Sequence, residues 1–187
     1  VDDLKLNFFP DIPVNFVKNP GFIEGVDGLD FWTTREGTPL VHNKWGHIAL
    51  NGGRKQTTSI QQDVSLCEYE KMIDGGRLNV SIAVLLGGYK NQEDYGELTV
   101  QFKDIYATTV QEWTQRGPTA AERGLSSSML PYSAYIIVPV GTRYIRVICS
   151  AYRNAGGNND GLITDVEIMP QLGDLSNIST APPLPPT

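Results

Sequence analysis

Short runs in which apolar and polar residues alternate with a period of two constrain the fold most strongly. In the clearest run, residues 59–66, Ile60, Val64 and Leu66 share one face of a predicted strand. About nine such runs are separated by Gly, Pro and Asn turns, and no stretch predicts a long helix. The pattern predicts an all-β fold, an antiparallel β-sandwich of jelly-roll type with eight or nine strands.

The longest connection predicted between strands runs from about Lys103 to Pro131. It contains Trp113, the pair Gly117-Pro118 and a run of three serines, and we read it as irregular chain. A connection of this length in a compact domain is more often functional or interface-forming than idle.

The length of 187 residues suits one domain flanked by two extended arms. We predict an N-terminal arm at 1–13, a sandwich at 14–170 and a Pro-rich tail at 171–187. Phe8 and Phe9 lie between acids and prolines, so the first arm is expected to dock, either on a partner or on the end of its own domain. Protein partners or a homo-oligomer formed through the arms are the corresponding expectation.

The net charge of −6 and a pI near 4.9 exclude a general nucleic-acid binder, which needs clustered Lys and Arg. The longest apolar runs are about half or less of the ~20 residues that a membrane-spanning helix needs, so no membrane insertion is expected. The sequence begins at Val1 without a leader, so we expect a processed or trimmed start.

The two cysteines, Cys67 and Cys149, are compatible with one disulfide or with two free thiols. Cys149 alternates with Ile145 and Val147 on one face of a predicted strand, which favours a buried thiol that fills the core.

Residues for nucleophilic catalysis are scarce. The two histidines, His42 and His47, do not form a metal-ligating motif, and there is no Gly-x-Ser-x-Gly elbow. Glu24, Asp63 and Glu97 are among the acids that could form a carboxylate pair for glycoside hydrolysis, but any acid-rich chain offers such pairs. We therefore expect a protein that is not an enzyme.

A binding surface is the better-supported expectation from the residues. Sugar recognition needs an aromatic face for the ring and planar polar groups for its hydroxyls. In the predicted strand from Arg143, one face carries Tyr144, Arg146, Ile148, Ser150 and Tyr152. The candidate ligand-binding residues are Trp45, Gln61, Asp63, Tyr144, Arg146, Tyr152 and Arg153. The alternative is a solvated outer face whose tyrosines pack on their neighbours.

Four motifs carry a family resemblance over about residues 14–170. They are Asn19-Pro20-Gly21-Phe22 with Glu24 and Trp32, the strand segment at 61–64, the run from Val138 to Val147, and the closing run from Asn159 to Val166. Together they resemble the galactose-binding-like jelly rolls. Among these, the sequence is similar to the carbohydrate-binding modules that accompany glycoside hydrolases and decorate phage and bacterial surface proteins.

The resemblance implies a non-catalytic module that binds a glycan, at an extracellular location or on a virion surface. It also implies a structural calcium where the entry turn meets the last strand, with Glu24 and Asp165 as ligands and backbone carbonyls near Asn19 and Phe22 completing six to eight oxygens. The alternative function is a decoration or fibre-associated protein of a phage or another large assembly, docked through its arms.

Overall fold

The computed structural model describes residues 14–172. The predicted arm at 1–13 and the tail beyond Leu172 lie outside the described residues, and their docking stays a prediction. Among the described residues, no helix is long and apolar enough to cross a membrane.

Ten strands and one short helical segment make up the described chain. The strands are β1 (Thr33–Glu36), β2 (Leu40–Lys44), β3 (His47–Gly53), β4 (Thr57–Ser65), β5 (Leu78–Gly88), β6 (Tyr95–Lys103), β7 (Thr109–Arg116), β8 (Ser128–Ile137), β9 (Tyr144–Tyr152) and β10 (Asn159–Leu172). A 3-10 turn at Cys67–Tyr69 leads into the helix α1 (Glu70–Asp74) between β4 and β5.

The strands form two five-stranded antiparallel sheets. The front sheet has the order β1-β4-β9-β6-β7, and the back sheet has the order β2-β3-β10-β5-β8. The predicted all-β antiparallel sandwich is confirmed, but the number of strands is ten rather than eight or nine.

Part of this difference comes from β7, which lies inside the segment predicted to be irregular. It pairs with β6 from Glu97 opposite Arg116 to Lys103 opposite Thr109. Trp113 is the only large apolar residue of β7 that packs against the core, and nearly all other positions are exposed. An edge strand that covers little of the core shows almost no alternation, so the prediction of irregular chain was wrong here.

The core lies between the two sheets and is fully apolar at its centre. Val100 and Val147 of the front sheet and Ile82 and Ile168 of the back sheet are all inaccessible or nearly so. Burial of such side chains stabilises a fold by about 1.5–3 kcal/mol each, so this cluster holds the two sheets together.

The backbones of the two sheets lie close together where β6 and β10 begin. A Cβ atom built on Gly96 would lie 2.2 Å from the carbonyl oxygen of Leu162, and one on Gly161 would lie 2.3 Å from that of Tyr95. Only glycine allows backbones to come this near. The sandwich is therefore pinched at this end.

The entry segment at 19–32 is organised around the buried side chain of Asn19. Its amide nitrogen donates to the carbonyl oxygens of Glu24, Gly28 and Asp30 at 3.0–3.3 Å, and its amide oxygen accepts from the N–H groups of Ile23 and Glu24. One side chain thus satisfies five backbone groups of the loop, which explains an Asn with positive φ at this position.

The two cysteines are free, which answers the question that the sequence left open. Cys149 is fully buried in the core, as its alternation predicted, and burial raises the pKa of its thiol far above the ordinary value. Cys67 is exposed in the 3-10 turn.

Candidate functional site

The strand β9 lies at the centre of the front sheet, between β4 and β6. Ile145, Val147 and Cys149 belong to the core cluster. Because neighbouring residues of a strand point to opposite sides, Arg146 and Ser150 point away from the core, as predicted. We call this outward side of the front sheet the open face.

The register of the sheet brings two of the predicted site residues beside β9. Gln61 of β4 lies opposite Ile148, and Asp63 lies opposite Arg146. Directly opposed residues of antiparallel strands share a face, so both side chains belong to the open face.

The middle of the open face is a floor of small or short side chains. Ser150 is 7% exposed and Ile148 is 5% exposed, although both point away from the core. Their low exposure shows that the floor is sunken between taller neighbours. The floor residues, which come from β4, β9, β6 and β7, are Ser59, Gln61, Thr99, Thr114, Ile148 and Ser150.

One side of the floor is bounded by a polar ridge. Arg146 donates from Nε and Nη2 to the two carboxylate oxygens of Asp63, both at 2.7 Å. Farther along the same row, Gln101 donates from Nε2 to Glu112 Oε2 at 2.7 Å. The hydrogen bond from Arg146 holds the pKa of the Asp63 carboxyl below its ordinary value. Asp63 and Arg146 thus neutralise each other, whereas the Glu112 carboxylate has a neutral amide as its partner.

The other side of the floor is bounded by an aromatic ridge. The rings of Tyr152 and Tyr95 stack with centroids 4.9 Å apart, and the guanidinium carbon of Arg116 lies 4.0 Å from the centroid of Tyr95. The hydroxyl of Tyr152 donates to Glu97 Oε1 at 3.3 Å. Burial raises the pKa of the Glu97 carboxyl, and the hydrogen bond from Tyr152 opposes that rise.

The floor and the two ridges form a groove across the strands of the front sheet. Arg146 and Tyr152, which stand on opposite ridges, are about 20 Å apart along β9 at the usual strand rise. The groove therefore offers hydroxyl and amide groups on its floor, fixed ionic groups on one wall and aromatic rings on the other.

Three predicted site residues lie elsewhere. Trp45 is at the turn between β2 and β3 of the back sheet, and Arg153 follows β9 and donates to the carbonyls of Arg54 and Gly157. Tyr144 is on the open face but beyond the polar ridge, opposite Ser65 and Lys103. The groove thus unites Gln61, Asp63, Arg146 and Tyr152, and their role in binding stays a prediction.

Arg116 is a groove residue that the sequence reasoning missed. It lies in β7, which was read as irregular chain, so nothing indicated that it would face the same side as Tyr95. The only available signal was the alternation of Glu112, Thr114 and Arg116 with Trp113, and that signal rests on a single apolar residue.

The residues predicted to hold calcium lie where expected along the chain, but their neighbouring donors are already engaged. The N–H of Val166 donates to the carbonyl of Pro20, so the entry turn does meet the last strand. The carbonyl of Asn19 accepts from both Phe22 N–H and Trp32 Nε1, which uses its two lone pairs. Among the described residues, no three His, Cys, Asp or Glu side chains gather as for a metal ion.

Calcium binding at Glu24 and Asp165 stays a prediction, which thermal unfolding in the presence of added calcium tests. Bound calcium would raise the melting temperature of the parent chain. It would not raise the melting temperature of the Glu24→Gln variant or of the Asp165→Asn variant.

Comparison with known proteins shows similarity in fold. No protein-family model matches the chain, and no curated protein matches its sequence. The solved structures that resemble it are mostly carbohydrate-binding modules with a β-sandwich fold.

Two of these modules are similar over nearly their whole length. A family 16 carbohydrate-binding module has a TM-score of 0.55 and 14% identity, covering 82% of this chain and 99% of that chain. The module TmCBM61, solved in complex with beta-1,4-galactotriose, has a TM-score of 0.51 and 16% identity, covering 83% and 97%.

A third similar structure is the enzymatically active domain of tailspike protein 4 of bacteriophage CBA120, with a TM-score of 0.55 and 14% identity. It covers 84% of this chain and 21% of that chain, so this chain spans only about a fifth of the tailspike domain. The described chain has the jelly-roll sandwich fold of carbohydrate-binding modules, which confirms the resemblance seen in the sequence at the level of fold.

Proposed function

We propose that the chain is a non-catalytic glycan-binding module whose ligand lies in the groove of the open face. The observation that carries this proposal is the sunken floor of Ser, Thr and Gln side chains between an aromatic ridge and an ion-paired ridge. A pyranose ring has an apolar side that packs on an aromatic ring and a rim of hydroxyls that need planar hydrogen-bonding partners.

Residues of the groove and its ridges are candidates for both requirements. Tyr152 supplies an aromatic surface, while Gln61 supplies amide hydrogen bonds from the floor. The guanidinium of Arg146 is already fixed by Asp63, so little side-chain entropy is lost on binding. Fixed polar groups of this kind favour selective binding of a neutral, hydroxyl-rich ligand.

The spacing of acids on the open face supports a binding function rather than hydrolysis. Glu36, Asp63, Glu97 and Glu112 carry the carboxylates of the paired strands. Strand spacing and rise put the Cα atoms of any two of them about 14 Å or more apart, whereas glycosidases need carboxyl groups separated by about 5–9.5 Å. The fold similarity to modules, one of them solved with beta-1,4-galactotriose, is consistent with this proposal and with an extracellular or surface location.

The test is a glycan array on the full chain, followed by calorimetry with the glycans that bind. We expect binding to at least one neutral polysaccharide and a loss of about tenfold or more in affinity for Tyr152→Ala. Tyr135→Ala is the matched control, because Tyr135 is exposed on β8 of the back sheet and should leave affinity unchanged. Absence of binding to plant, bacterial and host glycans would refute the proposal.

A second candidate is a structural role in a phage or another large assembly, which the similarity to the tailspike domain favours. On this reading, contacts through the terminal arms hold the chain in an oligomer or on a larger particle. Light scattering and limited proteolysis of the full chain separate the two readings. A stable monomer with protease-resistant ends would contradict the assembly role.

A further inference from the structure

The stack on the aromatic ridge leaves one aromatic surface available for a ligand. Tyr95 is covered by Tyr152 at 4.9 Å between centroids and by Arg116 at 4.0 Å. These two neighbours belong to β9 and β7, which flank β6 on opposite sides, so they lie on opposite sides of the Tyr95 ring. A ring covered on both faces cannot pack against a sugar.

Tyr95 is the one aromatic ring that stacks on Tyr152 among the described residues. On its other side lies β4, where the residue directly opposite Tyr152 is Thr57. The next outward residue of β4 is Ser59, so only small side chains stand beside this free face of Tyr152. The space between Tyr152 and β4 is therefore open to a ligand.

A recess lies next to Thr57, at the edge of the space between Tyr152 and β4. Thr57 lines a cavity of about 470 Å³ together with Glu36, Lys55 and Gln56, and with Gly37 and Thr38 at the turn before β2. Thr57, which lies directly opposite Tyr152, is thus one wall of a recess whose side chains include an acid, a base and an amide. Such groups are suited to the hydroxyls at one end of a glycan.

We propose that a terminal sugar ring of the glycan stands upright over Thr57, with its apolar side on the free face of Tyr152 and its hydroxyls in the recess of Glu36, Lys55 and Gln56. Tyr95 and Arg116 are positioning residues: they do not touch the sugar but hold the Tyr152 ring in the required orientation. Glu97 fixes the hydroxyl end of Tyr152. This inference rests on the proposed function and names one subsite within it.

A double-mutant cycle on the full chain tests the positioning role, using the polysaccharide selected by the array. Arg116→Ala should weaken binding about 3- to 10-fold, the effect expected from loosening a stacked aromatic pair. In a chain that already carries Tyr152→Ala, the same change should have no further effect. An equal loss in both backgrounds would show that Arg116 contacts the glycan directly, and would overturn the positioning role.

Filling the subsite tests the location of the sugar independently. Thr57→Phe places a ring beside Tyr152, where a cross-strand aromatic pair should preserve or raise the melting temperature. Affinity for the polysaccharide should nevertheless fall more than about tenfold, because the ring occupies the place of the sugar. Unchanged affinity in this folded variant would overturn the subsite.

One further measurement separates failure of this inference from failure of the proposed function. Stacking over Tyr95 should shift the NMR signals of the Arg116 side chain upfield, and Tyr95→Leu should abolish that shift, with or without any glycan. Signals at ordinary positions would overturn the stack itself. If the shift is present and the parent chain binds no glycan, the stack stands, and the proposed function fails together with its subsite.

Discussion

Asn19 carries more of the loop architecture than any other single side chain of the entry segment. Its side-chain amide fits this loop in one orientation, because the nitrogen donates to three carbonyl oxygens and the oxygen accepts from two N–H groups. The motif of Asn19-Pro20-Gly21-Phe22 was recognised in the sequence as a turn, but its partners at Gly28 and Asp30 depend on a loop path that sequence periodicity does not encode.

The orientation of the hydrogen bonds around the Asn19 side chain gives a prediction. We expect Asn19→Ala to lower the free energy of unfolding by about 3 kcal/mol, because several buried backbone groups lose their partner. Asn19→Asp should cost at least as much although it has the same shape, because it turns a carboxylate oxygen towards three carbonyls. Urea unfolding of both variants measures the difference. A clearly more stable Asp variant would contradict this account of the loop.

The ion pair of Asp63 and Arg146 gives a prediction about pH. Hydrogen bonding to Arg146 lowers the pKa of Asp63 in the folded state, so its contribution to stability is present above the ordinary pKa and is lost as the pH falls through the lowered value. Both side chains are partly exposed, which limits the contribution to about 0.5–1 kcal/mol.

Denaturant unfolding of Asp63→Asn tests this at two pH values. The variant should be less stable than the parent at pH 7, and the difference should be smaller at about pH 2, because the Asp63 carboxyl takes up its proton as the pH falls. A difference of the same size at both values would show that shape, rather than charge, accounts for the effect.

Among the elements, the sequence predicted best those strands that are buried on one side and exposed on the other. β9 and β4 show this alternation, and so the faces of Tyr152, Arg146 and Gln61 were predicted correctly. The sequence could not predict that β6 would lie on the other side of β9, because the order of strands in a sheet depends on long-range pairing. For the same reason Trp45 was grouped with residues of a different sheet.

The pinched end of the sandwich makes β6 and β10 sensitive to added volume. Gly96→Ala should lower the free energy of unfolding by about 1–3 kcal/mol, because its Cβ would overlap the carbonyl of Leu162. Gly157→Ala is the matched control: no atom lies near its added Cβ, so we expect a neutral or slightly stabilising change. Thermal unfolding of the pair measures both. Equal melting temperatures would contradict the close approach of the two strands.

At the scale of the whole molecule, the net charge of −6 contrasts with a groove wall on which Asp63 and Arg146 neutralise each other. We expect the affinity for a neutral glycan to change less than about twofold between 0.1 and 1 M salt, although the Debye length falls from about 10 to about 3 Å. Calorimetry over this range measures it. A steep salt dependence would indicate that unpaired charges, rather than stacking and hydroxyl contacts, dominate binding.

The central position of β9 also has a consequence for folding kinetics. Asp63 and Arg146, which meet across the groove wall, are 83 positions apart in the chain. Such non-local pairings lose a large loop-closure entropy before their stabilising contacts form. Folds dominated by them form in roughly milliseconds to seconds. The β6-β7 hairpin is local and can form early, whereas the groove exists only after β9 has entered between β4 and β6. The groove is therefore formed late in the folding of each newly made chain.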